Sequence, residues 1–104
     1  MKILLVEDEE MLNGITAKYL RAENMTVDTC FNGQQAIDYV NTSSYDVIVM
    51  DIMMPVMNGY NATKRIRSMD REDAKEIPII AMTANAFTED RIRAKEAGID
   101  EHVA

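Results

Sequence analysis

The chain has 104 residues, of which 47% are apolar and 28% are charged, with a single cysteine and a formal net charge of -7. These values predict one globular domain over residues 1–104 in a cytoplasmic, reducing location, and they exclude a second domain, a membrane span and a signal peptide. The negative charge argues against direct binding of nucleic acid by this domain, because phosphate backbones need clustered Lys and Arg, and it favours cations or basic partner surfaces.

The first 30 residues predict a strand, a helix and a second strand. Residues 2–6 form a short apolar run that ends at four consecutive acids, residues 7–10. Leu12, Ile15 and Tyr19 then recur at the spacing of an amphipathic helix. Residues 25–29 alternate with period two, which is typical of a strand.

The middle of the chain predicts a second helix and the central strand. Asn32-Gly33 breaks the chain, and an apolar helical face of Ala36, Ile37 and Val40 follows it. Residues 46–50 are largely β-branched and apolar, as in a strand covered on both faces. The run stops at Asp51, so a loop after it presents this carboxylate at the carboxyl end of the strand.

The last third of the chain predicts a helix, a charged connector, a fourth strand and a fourth helix. The third helix begins at about Asn58, and its inward candidates are Tyr60, Thr63, Ile66 and Met69. Residues 70–76 are the connector, and residues 77–82 are a covered strand with Pro78 near its start. Thr88 can cap the fourth helix, with Gly98 just past its last turn.

Strands that alternate with helices predict right-handed crossovers and a parallel α/β sheet with helices on both faces. The order of the strands does not follow from this pattern. The carboxyl ends of parallel strands nevertheless meet at one edge, where ligands bind in open α/β sheets. Glu7, Asp8, Asp51 and Thr83 each follow a predicted strand, so we expect three acids and a hydroxyl to face one crevice.

Three carboxylates at one edge repel each other unless a cation lies among them or some are protonated. Mg²⁺ prefers oxygen ligands, and no His or Cys is predicted nearby, so Mg²⁺ fits this cluster better than Zn²⁺. With a metal present, a carboxylate such as Asp51 can attack phosphorus and form an aspartyl phosphate, while Thr83 donates a hydrogen bond to a phosphoryl oxygen.

Each of these residues also has a plainer interpretation. Acids after a strand often stabilise the start of a helix, which suits the acids of residues 7–10. Thr83 alone is more typical of a turn or cap hydroxyl, and His102, the single histidine, of a surface or packing residue. The functional interpretation depends on the acids and the hydroxyl lying together.

Four segments together resemble the receiver domain of two-component response regulators, over essentially the whole chain: LLVEDEE, VIVMDIMMPVMNG, IPIIAMTANA and AGIDEHVA. The resemblance implies a flavodoxin-like, doubly wound parallel sheet with strand order 2-1-3-4-5. It also implies the site residues. Asp51 matches the phosphoacceptor, Glu7 and Asp8 the acidic pair that holds Mg²⁺, the backbone carbonyl of Met53 a further metal ligand, and Thr83 the switch hydroxyl.

The same resemblance implies the partners. The phosphoryl donor would be a phosphohistidine on a sensor histidine kinase or a histidine phosphotransfer protein, and the domain would be a switch rather than a multiple-turnover enzyme. His102 stands where the family usually has a switch Tyr or Phe, a feature that resembles receivers attached to hybrid sensor kinases.

The end of the chain departs from the family. The family continues with a Lys-Pro pair, the rest of a fifth strand and a fifth helix, so the sequence predicts a receiver that lacks most of strand 5 and helix 5. We therefore expect the edge of the fourth strand, residues 77–82, to be unpaired and to favour a homodimer through this edge.

Three alternatives remain open at this point. A pseudo-receiver would act through protein contacts without phosphorylation. A phosphatase of the haloacid dehalogenase type would need a second Asp two residues after the nucleophile, where this chain has Met53. A flavin-binding module would need a phosphate-binding loop after the first strand, where this chain has acids that repel phosphate.

Overall fold

The computed structural model of the chain describes residues 1–51, 57–82 and 95–103, the last three by their backbone alone. The strands are Lys2–Val6 (β1), Thr26–Cys30 (β2), Val47–Asp51 (β3), Ile79–Met82 (β4) and Glu101–Val103 (β5). The helices with complete bounds are Glu10–Ala22 (α1), Gly33–Thr42 (α2), Gly59–Arg67 (α3) and Glu72–Glu76 (α4). Residues 95–97 are also helical.

All five strands form one parallel sheet in the order β2-β1-β3-β4-β5. This confirms the doubly wound, flavodoxin-like arrangement that the resemblance implied. Strand β2 is added on one side of β1, whereas β3 and the later strands are added on its other side. At such a switch point, between β1 and β3, a crevice forms at the carboxyl ends of the strands. Val6 pairs with Met50 in this register, so the residues that follow them, Glu7 and Asp51, lie side by side.

The outer edge of β4 is paired, and the prediction of an unpaired fourth strand is therefore wrong. Ile80, Ala81 and Met82 pair with Glu101, His102 and Val103 of β5, respectively. Three residues are enough because the N–H of Asp100 also donates to the carbonyl of Ile79, at 2.9 Å, which aligns the chain before β5 begins. The predicted homodimer through this edge loses its physical basis.

The larger core lies under α2 and α3, whose inward-facing residues the sequence predicted. Ile48 and Met50 of the central strand are fully buried in it. Buried side chains of the two helices cover them: Ala36, Ile37 and Val40 from α2, and Tyr60, Ala62, Thr63 and Ile66 from α3. Met69 packs partly buried against the same cluster. Asn58 caps α3, because its side chain accepts a hydrogen bond from the N–H of Asn61.

Helix α1 turns a different face to the sheet than its apolar pattern indicates. Leu12, Ile15 and Tyr19 are 43%, 49% and 74% exposed, whereas Asn13 and Ala17 are buried. The amide of Asn13 donates to main-chain oxygens at the ends of β1 and β2, and these hydrogen bonds fix the rotation of α1 about its axis. The helix itself was predicted correctly, and its inward face was not.

Two further segments refine the predictions. The expected connector, residues 70–76, contains helix α4, which forms because Ala74 is buried and Arg71 bonds to both the Val40 carbonyl and the Asp73 carboxylate. Gly98 ends the last helical turn with φ of +104°, a conformation that favours glycine, while Thr88 lies outside the described residues. Among the described helices, none has the length and apolar character needed to cross a bilayer.

Candidate metal centre

Three carboxyl groups converge at the carboxyl edge of the sheet. Glu7 and Asp8 follow β1 directly, and Asp51 is the last residue of β3. One oxygen from each group lies within 4.8 Å of the others. Glu7 is buried, Asp51 is half-buried and Asp8 is exposed, so the cluster opens to solvent on the side of Asp8. This arrangement agrees with the prediction for these three acids.

The environment of Glu7 disfavours its negative charge. The pKa of Glu7 is raised from 4.5 to about 8, mainly by burial and further by the nearby carboxyl groups of Asp51 and Asp8, against an opposite effect of the Glu9 backbone. Glu7 therefore holds a proton more readily than a free carboxyl group does, unless a cation takes the proton's place.

The donor set fits a hard divalent cation. Mg²⁺ binds oxygen ligands at about 2.0 to 2.1 Å, so two oxygens on opposite sides of one ion lie about 4 Å apart. The observed spread of at most 4.8 Å can close to that distance with small side-chain movements. The three groups supply only carboxylate oxygens, which are the ligands that Mg²⁺, Ca²⁺ and Mn²⁺ prefer and that Zn²⁺ and Cu²⁺ use less.

The main chain that carries Glu7 is held on both sides. The N–H of Glu7 donates to the carbonyl oxygen of Cys30 at 3.1 Å, which extends the pairing of β1 with β2 by one residue. The side-chain amide of Asn13 donates to the carbonyl oxygen of Glu7 at 3.1 Å and to that of Cys30 at 3.0 Å. Asn13 was not among the predicted site residues. The sequence feature that could have identified it is a polar residue one helical turn after the acidic loop and four residues before the buried Ala17.

Two of the other predicted site residues, Met53 and Thr83, lie outside the described residues. Met82, the residue before Thr83, pairs with Asp51 across β3 and β4. His102 lies in β5, where its backbone pairs with Ala81.

Comparison with known proteins decides the family. A family model described as the response regulator receiver domain matches residues 3–104. The chain belongs to the response regulator receiver family.

The transcriptional regulatory protein DltR of Streptococcus agalactiae is 33% identical to this receiver domain over 103 residues, which are 99% of the chain and 44% of DltR. The chain thus spans less than half the length of this relative. The receiver domain of sensor histidine kinase PA1611 from Pseudomonas aeruginosa is 38% identical, with a TM-score of 0.89 over 99% of this chain and 83% of that one. Its crystal structure has a magnesium ion coordinated in the active-site cleft.

A second solved structure holds a metal together with BeF. The response regulator TrrA from Thermotoga maritima, in complex with Mg²⁺–BeF, is 29% identical, with a TM-score of 0.85 over 99% of this chain and 84% of that one. Both structures agree with a divalent cation as the group that an acidic cluster at this edge can hold.

Proposed function

We propose that this domain takes a phosphoryl group from a phosphohistidine onto Asp51 in a step that depends on Mg²⁺. One observation carries the proposal: the carboxylate oxygens of Glu7, Asp8 and Asp51 meet within 4.8 Å at the carboxyl edge of the sheet. This spacing suits a single small cation and leaves Asp51, at the end of a strand and half-buried, within reach of a donor from solvent.

The residues of the site would have two roles, the binding of Mg²⁺ and the nucleophilic attack on phosphorus. Glu7, Asp8 and Asp51 would hold Mg²⁺, with the backbone carbonyl of Met53 as a further ligand by the family resemblance. When bound, the metal offsets the repulsion between the anionic nucleophile and the anionic phosphoryl group. An oxygen of Asp51 attacks phosphorus, the bond from phosphorus to the donor's imidazole nitrogen breaks, and that nitrogen takes up a proton.

The switch would run along the last two strands. Thr83, which follows Met82 in the chain, would by the family resemblance donate its hydroxyl to a phosphoryl oxygen. His102 stands one strand further out, where its backbone pairs with Ala81. A change at Thr83 would therefore reach His102 through adjacent strands, and the surface around β4 and β5 would report phosphorylation to an output or partner.

The phosphoryl donor would be a sensor histidine kinase or a histidine phosphotransfer protein in the cytoplasm. The domain would carry one phosphoryl group as a switch and would not turn over substrates repeatedly. The resemblance to the receiver of a sensor histidine kinase supports a hybrid kinase as one setting, and the resemblance to DltR supports a transcriptional regulator as another.

Phosphoramidate, which has a phosphorus–nitrogen bond like that of phosphohistidine, tests this proposal without a known kinase. The protein is incubated with phosphoramidate and Mg²⁺, and intact-mass spectrometry measures the phosphorylated fraction. We expect one added phosphoryl group in the wild type, none with EDTA and none in Asp51→Asn.

Asp46→Asn is the matched control, because Asp46 lies just before the opposite end of the same strand and accepts a hydrogen bond from the N–H of Lys2. This variant should be phosphorylated like the wild type. An unmodified wild type under saturating donor and Mg²⁺ would favour the pseudo-receiver, and equal labelling of Asp51→Asn would show that another residue is the acceptor.

A further inference from the structure

Asn13 is a buried polar residue next to the metal centre, outside the set of acids that would bind the metal. It is 3% exposed and lies one turn into α1. Its side-chain amide nitrogen has two N–H groups, and two carbonyl oxygens accept from it: that of Glu7 at 3.1 Å and that of Cys30 at 3.0 Å. One side chain thus joins α1 to the ends of both β1 and β2.

These contacts restrict the backbone of Glu7. Its N–H is already bound to the Cys30 carbonyl at 3.1 Å, and its carbonyl oxygen is bound to Asn13, so the peptide groups on both sides of its Cα are held. A side chain leaves a fixed Cα in a fixed direction. The Glu7 side chain therefore starts in a fixed direction, and one of its carboxyl oxygens lies within 4.8 Å of oxygens of Asp8 and Asp51.

We propose that Asn13 is a positioning residue of the metal site, which keeps the Glu7 carboxylate in the geometry that Mg²⁺ requires by holding the Glu7 main chain. Mg²⁺ demands near-ideal octahedral geometry and tolerates misplaced ligands poorly. Partners that orient a metal ligand without touching the metal commonly change affinity by tenfold or more. This inference rests on the proposed Mg²⁺ dependence of the domain.

A purely structural role for Asn13 makes a different prediction. In that case the amide only satisfies two buried carbonyl oxygens and docks α1, and its loss would weaken the fold without a specific effect on the metal. Ala17 offers the matched control, because it is 2% exposed on the same face of α1, one turn further along, and its side chain has no donor for Glu7. Ala17→Gly destabilises α1 without removing a hydrogen bond to the site.

The experiment measures the Mg²⁺ dissociation constant from the shift of the Asp51 amide signal in nuclear magnetic resonance spectra, without any phosphoryl donor. We expect Asn13→Leu, which keeps the branched shape of the side chain and removes both donors, to weaken Mg²⁺ binding about tenfold. Ala17→Gly should lower the melting temperature and leave the dissociation constant within about twofold of the wild type. Equal dissociation constants in wild type and folded Asn13→Leu would overturn the inference.

A second measurement uses the wild type alone and so does not depend on the folding of a variant. Mg²⁺ should shift the side-chain amide signals of Asn13 with the same midpoint as the Asp51 amide. The side-chain amide signals of Gln34, which bonds to Asp38 on the exposed face of α2, should stay unchanged. Asn13 signals that do not respond while Asp51 titrates would contradict the inference. A wild type in which neither signal responds to Mg²⁺ would instead contradict the proposed function itself.

Discussion

Acids at the amino ends of the parallel strands and acids at their carboxyl ends have opposite surroundings. At the amino ends of the strands, the amino edge, Asp100 accepts hydrogen bonds from Arg67 and from the N–H of Ile79, each at 2.8 Å, and Asp46 accepts one from the N–H of Lys2 at 2.7 Å. At the carboxyl edge, oxygens of Glu7, Asp8 and Asp51 lie within 4.8 Å of one another. The amino edge is compensated by the protein's own donors, whereas the carboxyl edge accumulates negative charge.

This difference separates stability from function. Paired acids lower the free energy of the folded state, while crowded acids raise it until a cation or a proton joins them. The predictions below test this contrast, starting with the largest expected effect.

The first prediction concerns pH and Glu7. The pKa of Glu7 is raised from 4.5 to about 8 in the folded state, so the folded state holds this proton more tightly than the unfolded state does. The free energy of unfolding should therefore fall as pH rises from about 4.5 to about 8. Relative to Glu7→Gln, which stays neutral, we expect a loss of at most about 5 kcal/mol, since the pKa rises by about 3.5 units and one unit is about 1.4 kcal/mol. Urea denaturation at several pH values without metal measures it, and parallel pH profiles of the two proteins would contradict it.

The second prediction concerns the amino edge. Arg67 donates to the carbonyls of Gly98 and Ala74 and to Asp100, and so ties the end of α3 to the chain before β5. Arg67→Met should lower the free energy of unfolding by about 2 kcal/mol, because partly buried carbonyl oxygens lose a charged donor. Lys64→Met, on the exposed face of the same helix, is the control and should change stability by less than about 0.5 kcal/mol. Equal effects of the two substitutions would argue against a compensated amino edge.

The third prediction is that the same type of substitution, Asp to Asn, has opposite effects on the free energy of unfolding at the two edges. Without metal at neutral pH, Asp51→Asn should stabilise the domain by about 1 kcal/mol, because it removes one of the crowded charges. Asp100→Asn should destabilise it by about 1 kcal/mol, because it weakens the bond to Arg67. Thermal unfolding measures both. If both substitutions destabilise the domain, the acids at the carboxyl edge are not under the repulsion that we describe.

The fourth prediction concerns Lys2, whose ammonium lies 4.0 Å from Asp28 and 5.1 Å from the centre of the Tyr45 ring. Both groups of this ion pair are more than a third exposed, so Lys2→Met should lower the free energy of unfolding by only about 0.5 kcal/mol. The effect should shrink in high salt, since salt screens exposed charges. Lys18→Met on α1 serves as the control, and denaturation at two salt concentrations separates the outcomes.

Much of the carboxyl edge followed from the sequence. The acids after β1 and at the end of β3 could be placed because strands that alternate with helices run parallel, and parallel strands bring their carboxyl ends to one edge. The inward face of α2 followed from its apolar spacing in the same way, and all three predicted residues are buried.

The rotation of α1 and the pairing of β5 did not follow. The spacing of Leu12, Ile15 and Tyr19 favoured an inward apolar face, but two hydrogen bonds from Asn13 hold a different face against the sheet. Such long-range bonds to main-chain oxygens leave no trace in hydrophobic periodicity. Strand β5 has only three residues, too few for an alternating pattern, and its formation depends on β4 lying beside it.

The central claim is that the carboxyl edge holds Mg²⁺ and presents Asp51 to phosphorus. Beryllofluoride mimics a phosphoryl group on a carboxylate, and fluorine nuclear magnetic resonance detects its bound form directly. We predict bound signals for the wild type and for Asp100→Asn only when Mg²⁺ is present, and none for Asp51→Asn. A folded wild type that binds no beryllofluoride with Mg²⁺ present, or an Asp51→Asn protein that binds it equally well, would contradict the claim.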